Sequence, residues 1–296
     1  MIPGDVTFWA VQILNGLVMS VLLMLITLGL TIIFGILLVV NFAHGSLYMW
    51  GAYVGMGVLS LTGQFWLALL VAPLVIAIVG IGIERTLIQP MRSQPVILTL
   101  LLTFGLTLVL DETARILWGS NPYSINAPDW LSGTIRIGSV VYPIYRIFVI
   151  GLGIAVALLL FLFLEKTDLG TVIRAASSDR ETLEVMGVNT SRLFMLVFAL
   201  GSALTALSGL VAAPMLTIYP AMGHNIIIDA FVVLVLGGLG SLRGTIVASL
   251  LVGQVQTLGA VVMPEFALVV VFAMMGLVLL VRPRGLLNLG RLDDGH

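Results

Sequence analysis

The side chains in this 296-residue sequence that could do chemistry are few, and they interrupt apolar segments. Asn41-Phe42-Ala43-His44-Gly45-Ser46 breaks a long apolar run, and Asp229 lies in a short one. An ionisable group inside a membrane helix is costly, so each is a candidate functional group. The first segment predicts the unwound middle of a transporter helix, where Asn or His faces a cavity. A solvated turn that carries His44 is the alternative.

Hydrolytic chemistry finds little support in the sequence. Ser208 would need His44 or His224 as its base, and His224 is expected in an outer loop, so we expect Ser208 to pack a small-residue helix face instead. The sequence has no cysteine, no His, Asp and Glu cluster with metal-ligand spacing, and no Walker sequence. We therefore expect no catalytic residue, no metal, no cofactor and no ATP hydrolysis by this chain itself.

The composition indicates the elements that must position these residues. Hydrophobic residues make up 60% of the chain and charged residues only 9%, whereas soluble domains carry about 25% charged residues. This excludes a soluble enzyme and a nucleic-acid binder. The apolar runs lack the alternation of membrane strands, so helices are favoured over a barrel.

We predict one domain, residues 1–296, that is an all-α integral membrane protein: a polytopic bundle of about eight to nine transmembrane helices. The second and seventh spans are short enough to be broken or re-entrant. The predicted spans are Gln12–Val40, Leu47–Ser60, Phe65–Ile83, Val96–Leu117, Pro143–Leu164, Leu193–Ala213, Ile226–Leu239, Ile246–Met263 and Phe266–Val281.

The cations predict how this bundle is oriented. With nine crossings, ten Lys and Arg residues fall on one side and three, Arg115, Arg136 and Arg146, on the other. Because cytoplasmic loops carry the excess of cations, the first side is cytoplasmic. The C-terminus is therefore predicted in the cytoplasm.

Two loops exceed what a helix connection needs. Residues 119–142, on the outer side, carry β-branched residues around Gly138-Ser139, which predicts a small hairpin. It is either a solvated lid or a docking surface for an outside partner.

Residues 165–192, on the cytoplasmic side, are densely charged and show the signals of a helix. Ser178 and Glu181 form a capping-box pattern, Arg180–Met186 gives two turns, and Gly187 supplies the left-handed stop. Leu183 and Met186 are expected on one face. Such a short helix needs a partner surface, either its own bundle or another protein.

These motifs resemble a known family. Asn41-Phe42-Ala43-His44-Gly45 with Tyr48-Met49, and Gly170-x-x-x-Arg174-Ala175 through Asp179 to Met186-Gly187-Val188-Asn189, are similar to the LivH-type membrane permeases of bacterial branched-chain amino-acid ABC importers. Asp229-Ala230 and Gly237-Gly238-Leu239-Gly240-Ser241 fit the same family. The resemblance runs from about Leu14 to Leu287.

The resemblance implies a type II-like permease in the bacterial inner membrane, in contact with lipid and not with nucleic acid. It implies three kinds of partner: a LivM-like second permease, two cytoplasmic ATPase subunits and a periplasmic substrate-binding protein. Branched-chain amino acids are the family's usual substrates, with urea, amides or aromatic acids as alternatives within it. An ion-coupled secondary transporter is the rival from another class.

The resemblance also implies roles for single residues. In this family the cytoplasmic loop couples the permease to the ATPase, which carries over to Arg174, Ser178, Asp179, Arg180, Glu181, Leu183, Glu184, Met186 and Gly187. The residues expected near the translocation path are Asn41, His44, Gly45, Tyr48 and Asp229.

Overall fold

The computed structural model describes residues 6–38, 40–137, 140–178 and 180–287. The helix over Phe65–Ile83 continues through a π-helical turn, Glu84–Ile88, into a last turn, Gln89–Met91. The main elements in chain order are α1 (Val6–Leu37), α2 (Ala43–Thr62), α3 (Phe65–Ile83), α4 (Val96–Trp118), β1 (Thr134–Ile137), β2 (Val140–Pro143), α5 (Ile144–Lys166), α6 (Asp168–Ser178), α7 (Arg180–Val185), α8 (Thr190–Ala212), α9 (Gly223–Gly237), α10 (Leu242–Val262) and α11 (Ala267–Val281).

Each predicted apolar segment contains a helix, so the prediction of an all-α polytopic membrane protein is confirmed. Three of the nine predicted spans correspond to shorter or less apolar helices, namely α2, which has 20 residues, and α9 and α11, which have 15 each. The count of nine crossings stays a prediction. Among the described residues, the helices long and apolar enough to cross a membrane are Val6–Leu37, Phe65–Met91, Val96–Trp118, Ile144–Lys166, Thr190–Ala212 and Leu242–Val262.

Helix α1 lies at the centre of the bundle and packs against α5, α8, α9 and α10. Two of its hydroxyls bond to α10: those of Thr31 and Thr245 are 2.7 Å apart, and Ser20 Oγ donates to the carbonyl of Leu250. Hydroxyls in a membrane bundle join helices in this way. Helix α8 is the second central element, packed against α1, α2 and α3.

The outer helices keep apolar side chains on their outward faces. Leu70 and Leu74 of α3, Leu101 of α4 and Leu277 of α11 are each more than 60% exposed. In water such faces would be unstable, whereas in a membrane they meet lipid or another apolar protein surface.

The bundle has two distinguishable ends. The hairpin end carries β1 and β2, which pair antiparallel with Ile135 opposite Tyr142. Tyr123 and Ile218 form a β-bridge there that joins the 119–142 loop to the loop after α8. The predicted hairpin is therefore present, although Gly138 and Ser139 at its turn lie outside the described residues.

The loop end carries residues 165–192. Arg243, at the start of α10, lies 3.7 Å from the carboxylate of Glu165, at the end of α5. Leu286 N–H donates to the carbonyl of Leu236, so the chain after α11 returns to the end of α9. The glycine-rich segment between α9 and α10 is a tight turn here, with Gly238 and Gly240 at positive φ and Ser241 accepting from Gly244 N–H.

Candidate functional site

The break between α1 and α2 lies inside the bundle. The carbonyl of Val40 accepts a bond from Thr103 Oγ1 at 3.4 Å, and Thr103 is about 10 Å along α4 from its start. Asn41 Oδ1 accepts from Ala43 N–H at 3.1 Å, and its carbonyl accepts from His44 N–H. Irregular backbone at this depth is tolerated where protein groups satisfy it. The buried Asn41 Nδ2 has no hydrogen-bond partner among the described residues.

His44 is completely buried in the first turn of α2. Its Nε2 lies 3.0 Å from the carbonyl oxygen of Ile26 in α1 and also contacts Thr205 Oγ1 in α8. The imidazole therefore ties three helices together, and a solvated turn at this position is wrong. Ser208 Oγ donates to Leu22 O at 2.9 Å and is buried, which confirms the expectation that this serine packs a helix face.

Gly45 and Tyr48 are also buried in the bundle. The backbone of Gly45 lies so close to Gly223, at the start of α9, that a Cβ would overlap the Gly223 carbonyl. The Tyr48 carbonyl approaches Gly209 of α8 equally closely. The structure thus brings Asn41, His44, Gly45 and Tyr48 together along the first turns of α2, in close helix contacts.

Asp111 of α4 lies where the first turns of α2 and α9 meet. Ser46 Oγ donates to Asp111 Oδ1 at 2.7 Å, and His224 Nδ1 lies 3.2 Å from Asp111 Oδ2. A carboxylate is stabilised near helix N-termini because their free N–H groups carry partial positive charge. Helix α9 thus begins within the bundle, about 10 Å along α4 from the hairpin end, judged from the position of Asp111 in α4.

This arrangement differs from the pairing that helix spacing suggests. Arg115 is within one turn of both acidic residues, but it pairs with Glu112, at 3.1 Å, on the exposed surface. Asp111 faces inward because Ser46 and His224 supply its partners.

Asp229 is separate from the α2 group. It is half-buried on α9, and its carboxylate has Gln256 of α10 as its hydrogen-bond partner. The five predicted path residues thus fall into two places, four along the start of α2 and one between α9 and α10.

A cavity of about 450 Å³ opens at the hairpin end between α1, α5, α10 and the loop after α8. Arg146 lies at its wall and donates to Asn15 Oδ1, which also accepts from Tyr142 Oη at 3.2 Å. Burial raises the pKa of the Tyr142 phenol, while nearby Arg146 opposes the shift. The lining consists of Gln12, Asn15, Val18, Met19, Leu22, Arg146, Met215, Leu216, Gln256, Thr257, Ala260 and Val261.

The 165–192 loop holds two helices where the sequence predicted one. Helix α6 begins after Thr167, whose Oγ1 accepts from Gly170 N–H, and it buries Ile173 and Ala176 against the bundle. The short α7 then ends at Val185, and Gly187 supplies the predicted left-handed stop, with φ of 84°. Gly187 N–H bonds to Glu184 O and Val188 N–H to Leu183 O, the two bonds of a Schellman motif.

The surface of this loop is apolar at its tip. Val185 is 89% exposed and Met186 73% exposed, whereas Leu183 is buried. The expectation of one shared face for Leu183 and Met186 is therefore wrong, since Met186 lies in the turn beyond α7. Arg174 and Glu184 are exposed, and Glu184 Oε1 accepts from Thr190 Oγ1 at 2.7 Å.

Part of the predicted coupling set cannot be placed. Asp179 and the side chains of Ser178, Arg180 and Glu181 lie outside what the structure describes, so the capping box stays a prediction.

Sequence reasoning missed a buried ion pair at the loop end. Glu84, in the π-helical turn, is fully buried and bonds to Arg92, whose guanidinium lies 4.3 Å from the centre of the Phe194 ring. It also missed the joint position of Arg146 and Gln256. The available signal was polar residues inside apolar runs, since Gln256 interrupts one and Glu84 ends another.

Comparison with known proteins gives a consistent family. A family model described as "Branched-chain amino acid transport system / permease component" matches residues 12–279. The high-affinity branched-chain amino acid permease protein BraD of Pseudomonas aeruginosa is 30% identical over 94% of this chain and 95% of its own length. LivH of Escherichia coli is 30% identical over 94% of both chains. The ribose import permease RbsC of Haemophilus influenzae is 26% identical over 82% of this chain and 75% of its own. No solved structure matches.

Proposed function

The chain belongs to the family of branched-chain amino acid transport system permease components, and from this premise we propose that it carries branched-chain amino acids inward across the bacterial inner membrane. As a permease subunit of an ABC importer it is a transport protein and not an enzyme. We propose that its partners are a LivM-like second permease, two cytoplasmic ATPase subunits and a periplasmic substrate-binding protein.

The observation that carries the mechanism is the exposed apolar tip of the 165–192 loop. Val185 is the last residue of α7 and Met186 lies in the turn after it, next to the Gly187 cap, while the buried Leu183 anchors this helix. An exposed apolar pair at the end of a short capped helix suits insertion into a cleft of another protein. We propose that this cleft belongs to the ATPase subunit and that the loop end is cytoplasmic, together with the C-terminus.

Coupling then proceeds through the rigid unit of α6 and α7. ATP closes the ATPase dimer, the unit moves with it, and the bundle opens toward the hairpin end. The binding protein docks there, on a surface that includes the exposed β-hairpin. Hydrolysis returns the bundle to its inward-open arrangement. The proposed coupling residues are Arg174, Ser178, Asp179, Arg180, Glu181, Leu183, Glu184, Met186 and Gly187.

The proposed path lies beside the break between α1 and α2. Asn41 supports this because its buried Nδ2 has no partner among the described residues, as expected of a group that serves a passing solute. His44, Gly45 and Tyr48 hold the break in place through close helix contacts. Asp229 lies farther along α9. We propose these five residues as the wall and support of the path.

Reconstitution tests this function. Purified chain with its partner permease and ATPases is placed in proteoliposomes, and [³H]leucine uptake is measured with external binding protein and internal or external ATP. We expect uptake that requires both the external binding protein and internal ATP, because the binding protein and the ATPases act on opposite sides of the membrane. Uptake by this chain alone, driven by an ion gradient, would instead support a secondary transporter.

The path is tested by cysteine scanning, for which the chain is suited because it has no cysteine of its own. Asn41→Cys is expected to react with a small thiosulfonate reagent more slowly when leucine-loaded binding protein and ATP are present. Ser60→Cys, on the exposed last turn of α2, serves as the control. Equal protection of both cysteines would contradict the placement of the path.

A further inference from the structure

We propose that the cavity at the hairpin end is a transient binding site for the zwitterion of an aliphatic amino acid. The proposal rests on the proposed function and deepens it by naming the groups that receive the substrate inside the permease. The cavity volume of about 450 Å³ is within the usual range for small-ligand pockets, about 300–1,000 Å³.

One wall of the cavity suits a carboxylate. Arg146 is half-buried, donates to Asn15 Oδ1, and lies over the Tyr142 ring with 5.9 Å between the guanidinium carbon and the ring centre. It has no carboxylate partner among the described residues. A guanidinium has five N–H donors, so donors remain for the two oxygens of a substrate carboxylate.

A second wall suits an ammonium group. Gln256 lines the cavity, and its Oε1 is buried without a hydrogen-bond partner among the described residues. Its side chain is also the hydrogen-bond partner of Asp229, which stands outside the lining. A rotation of the Gln256 side chain would present Oε1 at the cavity surface, where an amide oxygen accepts from an ammonium and the carboxylate behind it adds favourable electrostatic attraction.

The remaining wall is apolar. Val18 and Leu22 of α1 are buried, and Met19 and Met215 are half-buried beside them. Methionine adapts to irregular shapes, so it suits a wall that receives side chains of different branching. A guanidinium, a free amide acceptor and an aliphatic wall together match the three parts of leucine, isoleucine or valine. A lipid acyl chain would use the apolar wall alone.

Direct labelling tests the site in the assembled transporter. A diazirine analogue of leucine is delivered by the binding protein, photolysed during ATP turnover, and its adducts are mapped by mass spectrometry. We expect adducts on Met19, Met215 or Val261, reduced at least tenfold by excess L-leucine. Intact leucine uptake with no competed adduct at the cavity would overturn the proposal, and adducts from a diazirine fatty acid alone would assign the cavity to lipid.

Matched variants test the polar groups. Arg146→Gln and Gln256→Leu are expected to lower the maximal rate of leucine uptake at saturating binding protein about tenfold or more, since each removes a charged-group hydrogen bond. Arg146→Lys should retain part of the rate. Arg115→Gln, which removes a half-exposed cation from the same end of the bundle, is the control and should transport normally.

The outcomes separate the two proposals. If the wild-type complex shows no ATP-dependent leucine uptake, the proposed function fails. If the wild type transports leucine and both cavity variants transport at the rate of Arg115→Gln, only the binding site fails. Elution of each variant as a monodisperse complex, with basal ATPase activity retained, shows that a lost rate is not lost assembly.

Discussion

Replacing Met186 by Asp should weaken binding of the ATPase subunit without unfolding the permease. Met186 is 73% exposed, so the substitution removes little buried area and should change the unfolding free energy by less than about 0.5 kcal/mol. If Met186 is buried in an ATPase cleft, its side chain contributes about 1.5–3 kcal/mol there. Losing that contribution corresponds to roughly tenfold to hundredfold weaker binding, because each 1.4 kcal/mol is about tenfold.

The assay is the affinity of purified ATPase subunit for detergent-solubilised permease, measured beside leucine uptake. Leu61→Asp is a matched control, because Leu61 is 87% exposed and lies at the end of α2 away from this loop. We expect Leu61→Asp to bind the ATPase normally and Met186→Asp to lose both binding and uptake. Wild-type affinity and uptake in Met186→Asp would refute the reasoning.

Three further predictions concern the packing of the bundle and the loop. Gly45→Ala should cost about 1–3 kcal/mol because its Cβ overlaps the Gly223 carbonyl, and an unchanged thermal midpoint in detergent would contradict this. Arg92→Leu should lower the free energy of unfolding by about 3–5 kcal/mol because Glu84 stays buried without its ion-pair partner. Adding Glu84→Gln to Arg92→Leu should recover part of that loss. Gly187→Ala should cost about 1–2 kcal/mol locally because its φ is 84°, seen as faster amide exchange at the end of α7.

The parts of the fold set by local sequence could be predicted. Long apolar runs without charge specify membrane helices, and Gly187 specifies the end of α7, because hydropathy and backbone freedom act within a few residues. The hairpin follows from β-branched residues on both sides of a Gly-Ser turn. None of these features depends on a distant partner.

The site depended on contacts between distant segments, which spacing does not reveal. Asp111 is near Arg115 in sequence, yet its partners Ser46 and His224 come from two other helices. Leu183 and Met186 are three residues apart, yet one is buried and the other exposed because α7 ends between them. The pairing of Arg146 and Gln256 around one cavity likewise arises only when α5 and α10 pack beside α1.

The central position of α1 has a consequence for how the protein is made. Helix α1 is synthesised before every helix that covers it, and its contacts with Ser208 and Thr245 span 186 and 214 residues of sequence. It carries no charged residue, so it can wait in lipid as an isolated helix. The core cannot close until α10 has been inserted. The centre of this permease is therefore completed late in its biogenesis, with α11 alone among the described helices still to follow, and a ribosome stalled before Leu242 would leave the Thr31 hydroxyl without its Thr245 partner.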